Sequence, residues 1–285
     1  MAVYFGWGAQ YLAIRFGLES VPPLLFAGSS ALASGLLLYG AARLAGSSRP
    51  AAAHWKGAAL TGFLLLYMGT GGVTWAEQFV PSALAALCLA SEPIWMVLMD
   101  WFFFKGARPG VRVSLGIFLG LAGVGSLVWT QSAFVGGSAG GWLAIFIASL
   151  AWALGSLCSR RVPSPDSPLL ATALPMMLGG TALVITGLFL GEATRWDPAG
   201  ISARSAAAFL YVTLVSCLLA YTAYLWLLKN VDLAKVTTYA YVNPLVAVLL
   251  GWSLGGERVD VGLLLGAALV LGAVVLILTY KNREI

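Results

Sequence analysis

The stretch from residue 82 to residue 104 reads SALAALCLASEPIWMVLMDWFFF and places the carboxyl of Glu92 near the middle of a long apolar run. A membrane-spanning helix needs roughly 20 residues at ~1.5 Å rise each, so this run is long enough to cross a bilayer. Glu92 lies ten residues after Ser82, about 15 Å along a helix and near the centre of a ~30 Å hydrocarbon core. An acid at that depth costs on the order of 2.5–3.5 kcal/mol, which favours a functional role.

A second stretch repeats this feature near the other end of the chain. Residues 234–255 read AKVTTYAYVNPLVAVLLGWSLG and place Asn243 at a similar depth. Each polar residue is followed directly by a proline, which removes a backbone donor and bends a helix. Because irregular backbone inside a membrane is tolerated only against protein or a wet cavity, the sequence predicts a polar, bent element at mid-membrane twice.

Composition extends the membrane assignment to the whole chain. Hydrophobic residues make up 60% and charged residues 9% of the 285 positions, and the mean hydropathy is +0.90. Soluble domains carry about 25% charged residues. The net charge is +5, and most of the charged residues lie between the apolar runs. This distribution indicates membrane topology and not nucleic-acid binding.

Cofactors are not expected. The three cysteines, Cys88, Cys158 and Cys217, fall inside apolar runs, and His54 is the only histidine. Neither a disulfide framework nor a metal cluster fits this pattern, and no phosphate-binding loop is present.

The apolar runs predict an all-α integral membrane protein with ten transmembrane helices. Both termini are predicted to be cytoplasmic, because twelve of the sixteen lysines and arginines then fall in inner loops and the tail. Three fall in outer loops, and Arg15 ends the first span on the outside. The chain is therefore expected to be a multi-pass protein of the inner (plasma) membrane. The ten spans are roughly 2–18, 22–42, 57–76, 82–104, 110–130, 141–159, 168–190, 205–228, 234–255 and 260–280.

An internal repeat divides the chain into residues 1–135 and residues 136–285. Five spans per half is an odd number, so the second half is expected to be inverted relative to the first. Inverted repeats that meet at bent helices near the midplane are typical of secondary transporters. The matching residues are Trp7, Arg15 and Pro23 against Trp152, Arg160 and Pro168, and Trp75 and Pro93 against Trp226 and Pro244.

Four stretches, WGAQY at 7–11, VPPL at 21–24, AYVNPLVA at 240–247 and LGGER at 254–258, together resemble a known family. The chain is similar to the drug/metabolite transporter superfamily, ten-helix EamA type. This resemblance implies an exporter of amino acids or other small metabolites. It also implies a central cavity lined by spans one to four and six to nine, with spans five and ten peripheral.

The sequence departs from that family in two places. Many members carry an arginine in the second span, where this chain has Ser30 in the run Ala27-Gly28-Ser29-Ser30. The first-half counterpart of Glu257 is also lost, because Lys105-Gly106 stands there.

Candidate site residues follow from the two midplane stretches. Glu92 could bind an amine or a proton, or serve only as a structural acid; Asn243 could bind a zwitterion, or only pack helices. Helical spacing places further side chains beside them or on matching faces of the first and sixth spans. The predicted substrate site comprises Gln10, Tyr11, Glu92, Trp95, Trp152, Ser156, Tyr239 and Asn243, and the predicted hinges are Pro93, Pro175 and Pro244. Trp7, Trp75 and Trp226, near span ends, are interpreted as interfacial aromatics.

The sequence therefore predicts a secondary transporter that exports small metabolites, with amino acids, including apolar and aromatic ones, favoured, by alternating access. A multidrug exporter of lipophilic cations is the alternative. An intramembrane lipid-modifying enzyme would need a second catalytic group near Glu92, and none is evident. The G-x-S-x-G match at residues 136–140 lies in a predicted outer loop away from His54, so an enzyme is not expected.

Two further features have structural interpretations. Asp100 is expected to pair with Lys105 or Arg108. The G-x-x-x-G pairs, Gly116 with Gly120 and Gly262 with Gly266, predict close helix packing, either inside the protein or across a homodimer formed by peripheral spans.

Overall fold

The computed structural model describes residues 2–106, 108–135, 138–231, 236, 239–257 and 259–278, and the regular elements in these ranges are all helical. The all-helical prediction is thus confirmed for the described part of the chain. The helices are α1 (Ala2–Gly8), α2 (Gln10–Gly17), α3 (Pro23–Leu44), α4 (Ala52–Ala76), α5 (Ser82–Phe103), α6 (Val111–Val135), α7 (Ala139–Ser159), α8 (Pro168–Phe189), α9 (Ala203–Asn230), α10 (Tyr239–Ser253) and α11 (Val261–Leu278).

Six helices are long and apolar enough to cross a membrane, judged by length and composition: α3, α4, α5, α7, α8 and α9. Shorter apolar stretches lie in α6, α10 and α11 at Val111–Gly123, Val242–Ser253 and Val261–Ala273. A multi-pass helical architecture follows from these elements. The count of ten spans remains a prediction.

The helix α5 is interrupted where the sequence predicts a bend. It runs as Ser82–Leu89 and Glu92–Phe103, with two turn residues between these segments. Pro93 stands in the first turn of the second segment, where its missing N–H removes no helical hydrogen bond. The helix α10, by contrast, continues through Pro244, and α8 continues through Pro175. These two prolines therefore interrupt neither helix in this conformation.

Two helices carry wide π-helical turns that local sequence patterns do not predict. The turns span Gly62–Thr70 in α4 and Val212–Tyr221 in α9. Each lies in the middle of its helix. Such turns are rare and often mark functional sites, and both border the central cavity described below.

The helices α3 and α8 pack in unusually close contact at Gly28 and Gly180. A Cβ atom on Gly28 would lie 2.7 Å from the backbone nitrogen of Val184 and 2.9 Å from the carbonyl oxygen of Gly180. A Cβ atom on Gly180 would lie 2.6 Å from the backbone nitrogen of Leu32. Only glycine allows the two backbones to approach this far. Ser30, where the family often has arginine, is buried in α3 and donates to the Phe26 carbonyl at 2.9 Å.

The helices α6 and α11 pack against each other through small residues. A Cβ atom added to Gly120 would contact Ile94 and Ala273. A Cβ atom added to Gly123 would contact Leu269 and Val270. Part of the small-residue surface of α6 is therefore used inside the protein. The homodimer through peripheral spans stays a prediction.

One end of the helix assembly is held by carboxylates that cap helices from a distant part of the chain. We call it the Glu257 end. Arg15 donates from Nη1 to Glu257 Oε1 at 2.6 Å, and the same oxygen accepts from the backbone N–H of Ser82 at 3.0 Å. The other Glu257 oxygen accepts from the N–H of Ala83 at 3.0 Å. Glu257 thus satisfies two of the free backbone donors at the start of α5, which otherwise would have no partner.

Glu192 caps α3 at the same end in the same way. Its two oxygens accept from the backbone N–H groups of Leu24 at 3.2 Å and Leu25 at 2.9 Å. Both capping acids come from the second half of the sequence and both capped helices come from the first.

We call the opposite end of the assembly, where His54 and the turn after α7 lie, the His54 end. One predicted ion pair at this end has a different partner. Asp100 pairs with Arg161, with Oδ1 and Nη2 at 3.2 Å, and not with Lys105 or Arg108 as the sequence suggested. The prediction of a structural ion pair was right, but its partner comes from the turn after α7. A pairing across 61 positions cannot be read from local spacing.

The glycine contact between α3 and α8 gives a stability prediction. Gly28→Ala should lower the midpoint of thermal unfolding in detergent, because a methyl group there meets backbone atoms that cannot move aside, at a cost of about 1–3 kcal/mol. Gly40→Ala is the matched control on the same helix, where an added Cβ meets no atom within 4 Å. That variant should be neutral or gain up to ~1 kcal/mol of helix propensity. Equal midpoints for the two variants would contradict the close backbone contact.

Candidate functional site

A small cavity lies between the π-helical turns and the midplane stretches. Its volume is about 50 Å³, room for a few water molecules and well below the ~300–1,000 Å³ of typical ligand pockets. In this conformation the site is therefore contracted, and a substrate would need it to widen. The lining residues include Trp7, Gln10, Tyr11, Thr70, Glu92, Trp152, Ser216, Tyr221, Tyr239 and Asn243.

A hydrogen bond between two helices holds the only acid that lines the described cavity. Tyr239 donates from its hydroxyl to Glu92 Oε2 at 2.6 Å, and both residues are buried. The start of the second α5 segment positions Glu92, and α10 positions Tyr239. A carboxyl removed from water needs such a partner, because an unsatisfied buried acid is strongly unfavourable.

Asn243 lies on the same face of α10 as Tyr239, four residues later, and also lines the cavity. It is 4% exposed, and its Oδ1 atom accepts no hydrogen bond. A buried amide oxygen without a donor is uncommon and can receive one from a ligand or a water molecule. Two donors that line the cavity, the Trp152 Nε1 atom and the Tyr221 hydroxyl, also have no hydrogen-bond partner.

Aromatic rings form one wall of the site, with Trp7 at their centre; Trp7, Trp152 and Tyr239 line the cavity, and Tyr224 packs against them without lining it. The Trp7 ring centroid lies 5.3 Å from that of Trp152, 4.9 Å from Tyr224 and 5.5 Å from Tyr239, all in edge-on arrangements. Such geometries stabilise aromatic pairs by about 0.5–1.5 kcal/mol each. Trp7 is 7% exposed and donates from Nε1 to the Ser216 carbonyl, so its interpretation as an interfacial aromatic was wrong.

Two of the predicted site residues do not line the cavity. Ser156 is buried, with its hydroxyl oxygen 2.6 Å from that of Tyr224, and so supports a ring that packs against Trp7. Trp95 points elsewhere: its ring packs edge-on against Phe146, and its Nε1 atom donates to Ser91 Oγ at 3.1 Å. The other six, Gln10, Tyr11, Glu92, Trp152, Tyr239 and Asn243, come together at the cavity.

Sequence reasoning missed the residues contributed by the π-helical turns, among them Thr70, Ser216 and Tyr221. These residues are moderately polar or aromatic and carry no charge, so nothing marked them within their apolar runs. The repeat contained a usable signal, because the displacement that relates Trp75 to Trp226 also relates Thr70 to Tyr221.

A larger cavity of about 450 Å³ opens at the His54 end. Its wall combines charged and hydroxyl-bearing side chains from α4, α8, α9 and the turn after α7, including His54, Ser164, Asp166, Thr172 and Lys229. Lys229 donates to the Ser164 hydroxyl. Within the described residues, no group of three or more histidines, cysteines or acids is placed to hold a metal ion.

Comparison with known proteins agrees with this geometry. The chain is 38% identical over 277 residues to the uncharacterized inner membrane transporter YedA of Escherichia coli K12, covering 97% of this chain and 88% of that protein. It is 24% identical to the uncharacterized transporter YvbV of Bacillus subtilis 168, covering 98% and 90%. One solved crystal structure shares the fold, with a TM-score of 0.69 and 20% identity over 96% of this chain and 93% of that chain.

The family model of the EamA-like transporters matches residues 1–129 and 139–279, which is nearly the whole chain. A multi-pass helical protein with a polar cavity among apolar helices is the architecture that a membrane transporter needs. The chain belongs to the EamA-like transporter family.

Proposed function

We propose that this membrane transporter exports small metabolites that carry an ammonium group, most directly amino acids with apolar or aromatic side chains, across the inner membrane. The observation that carries the proposal is the buried Glu92–Tyr239 pair facing an aromatic wall. An acid in such a place binds a cationic group strongly, because the surroundings screen its charge poorly.

The unpartnered polar atoms of the cavity complement a zwitterion. The Trp152 Nε1 atom and the Tyr221 hydroxyl can donate to a carboxylate, and Asn243 Oδ1 and Glu92 can accept from an ammonium group. The rings of Trp7 and Trp152, which both line the cavity, then offer an apolar surface to the side chain. A site that binds an amino acid needs donors for the carboxylate, acceptors for the ammonium group and apolar surface for the side chain.

The proposed architecture consists of two inverted halves of five spans, residues 1–135 and 136–285. The family model matches in two stretches that agree with this division. The π-helical turns begin at Gly62 and Val212, displaced by nearly the spacing of the sequence repeat, which also supports it. The distribution of lysine and arginine supports cytoplasmic termini, with the His54 end facing the cytoplasm.

Alternating access fits the two ends of the described structure. Hydrogen bonds around Glu257 hold one end together, while the His54 end has the 450 Å³ cavity. Substrate would enter from the His54 end, occupy the widened central site and leave when the Glu257 end opens. Pro93, Pro175 and Pro244 are proposed as the positions where helices bend during this change. No nucleotide-binding motif is present in the sequence, so a gradient of substrate or protons would drive export.

A lipophilic cation is the second candidate substrate. Tryptophan and tyrosine rings around a buried acid also suit a quaternary ammonium group, which is attracted to aromatic faces by about 0.5–2 kcal/mol. Such a ligand would leave the donors of Trp152 and Tyr221 without a partner, which favours the zwitterion.

Replacing the central acid should reduce transport. Glu92→Gln keeps the shape but removes the charge, and we expect counterflow of labelled leucine or phenylalanine in proteoliposomes to fall about tenfold or more, since a hydrogen bond to a charged group contributes about 1.5–3 kcal/mol. Glu19→Gln is the matched control, because Glu19 is exposed and pairs with Arg204 at the Glu257 end. Unchanged counterflow in the Glu92 variant would remove this carboxyl from substrate binding.

The aromatic wall gives an independent prediction. Trp152→Ala should raise the half-saturating concentration of phenylalanine roughly two- to tenfold, because it removes about 0.5–1.5 kcal/mol of ring contact. Trp252→Ala is the control, since Trp252 is 61% exposed on α10 and is not among the cavity-lining residues.

Competition separates the two substrate classes in the same vesicles. Unlabelled amino acids should block the counterflow of labelled phenylalanine, whereas tetraphenylphosphonium should not. Block by the cation alone would instead favour the multidrug alternative. Chemical conversion of a lipid without flux would point to an enzyme.

A further inference from the structure

Glu77 is a buried acid without a hydrogen-bond partner, outside the site described above. It directly follows α4, in the turn that leads to α5, and is 8% exposed. Neither of its carboxyl oxygens has a hydrogen-bond partner. Leaving a buried carboxylate unsatisfied is expensive, so its presence needs a physical explanation.

The charged groups that act on Glu77 are Glu257 and Arg15. Arg15 is already committed to Glu257, at 2.6 Å. Glu257 is itself held in place by the start of α5 through Ser82 and Ala83. If Glu77 is ionised, the group formed by Glu77, Glu257 and Arg15 holds two carboxylates and one guanidinium; if Glu77 carries a proton, the charges of this group balance.

Burial raises the pKa of Glu77 well above its usual range, the Glu257 carboxylate raises that pKa further, and Arg15 offsets part of the rise. The buried conformation therefore binds a proton more tightly than an exposed glutamate does. By linkage, protonation favours the conformation in which Glu77 is buried, and that preference is lost as pH rises through the raised pKa.

Two helices connect Glu77 with the central cavity. Val73 lines the cavity one helical turn before Glu77 on α4. Tyr11 also lines the cavity, and it lies within the range of electrostatic interaction of both Glu92 and Glu77. Arg15 follows Tyr11 by one turn on α2. The central acid, Tyr11, Glu77 and the Arg15–Glu257 pair thus form a continuous series from the cavity to the Glu257 end.

We propose that Glu77 is a second proton-binding site of the transporter, and that it must take up a proton before the Glu257 end can close. This inference rests on the proposed transport function. Opening breaks the Arg15–Glu257 pair and admits water to Glu77, whose carboxyl O–H bond then breaks as the proton passes to a water molecule. Closing reverses the transfer, so each closure removes one proton from the solution at that end.

A proton is favoured over a metal cation at this position by the neighbouring charge. The Arg15 guanidinium would repel Na⁺, and Glu257 already has four donors on its two oxygens. A proton needs only one oxygen of Glu77 and neutralises it completely.

The test measures opening of the Glu257 end in full-length protein reconstituted into vesicles. Ala83→Cys provides the probe: Ala83 is 4% exposed, and its side chain takes no part in the capping. The rate of labelling by a membrane-impermeant thiol reagent is divided at each pH by the rate for the same thiol in denatured protein, which cancels the ionisation of the thiol itself. This relative rate should rise as pH passes through the raised pKa of Glu77, up to tenfold per unit for one proton released. With Glu77→Gln added, which mimics the protonated acid, this relative rate should stay low at every pH. With Glu19→Gln added instead, it should follow the parent protein.

Three outcomes would overturn the proposal: an unchanged pH profile in the Glu77→Gln protein, a flat profile in the parent, or labelling that changes when Na⁺ replaces choline at fixed pH. Glu77→Asp is the second variant, in case the glutamine variant is not monodisperse. It retains a titratable acid, so its profile should shift along the pH axis; loss of the profile would count against the proposal. Absence of amino-acid counterflow with an intact pH profile would refute the transport proposal alone.

Discussion

The hydrogen bond between Tyr239 and Glu92 is the constraint on which the arrangement of the helices depends. A carboxyl at the centre of an apolar helix must find a donor, and the donor comes from a helix about 150 positions later in the chain. Satisfying this one group brings α10 against the break in α5. It also places the rings of Trp7 and Tyr224 beside them, since both contact Tyr239. The cavity is the space that remains around this pair.

Much of the site was predictable because its members contrast with their surroundings. Glu92 and Asn243 are polar in long apolar runs, so depth along a helix was enough to place them. Helical spacing then identified Tyr239, and the first and sixth spans supplied Gln10, Tyr11 and Trp152. The helical nature of the chain followed from composition in the same direct way. These inferences need only local sequence and the thickness of a bilayer.

The remainder depends on interactions between distant parts of the chain. Capping of α5 by Glu257 and pairing of Asp100 with Arg161 join residues that no local periodicity connects. The π-helical turns have ordinary apolar sequences, so their geometry comes from packing and not from propensity. Trp7 illustrates the same limit: its position near the start of a span suggested the membrane interface, whereas the rings that surround it come from three other helices.

The backbone contact between α3 and α8 has a mechanical consequence. Where two helices touch through glycines, no flexible layer of side chains separates them, so they cannot slide past one another without losing contact. The two helices should therefore move as one rigid unit, with α3 from the first half of the sequence and α8 from the second. Movement of the remaining helices is then expected to leave the Gly28–Gly180 contact intact.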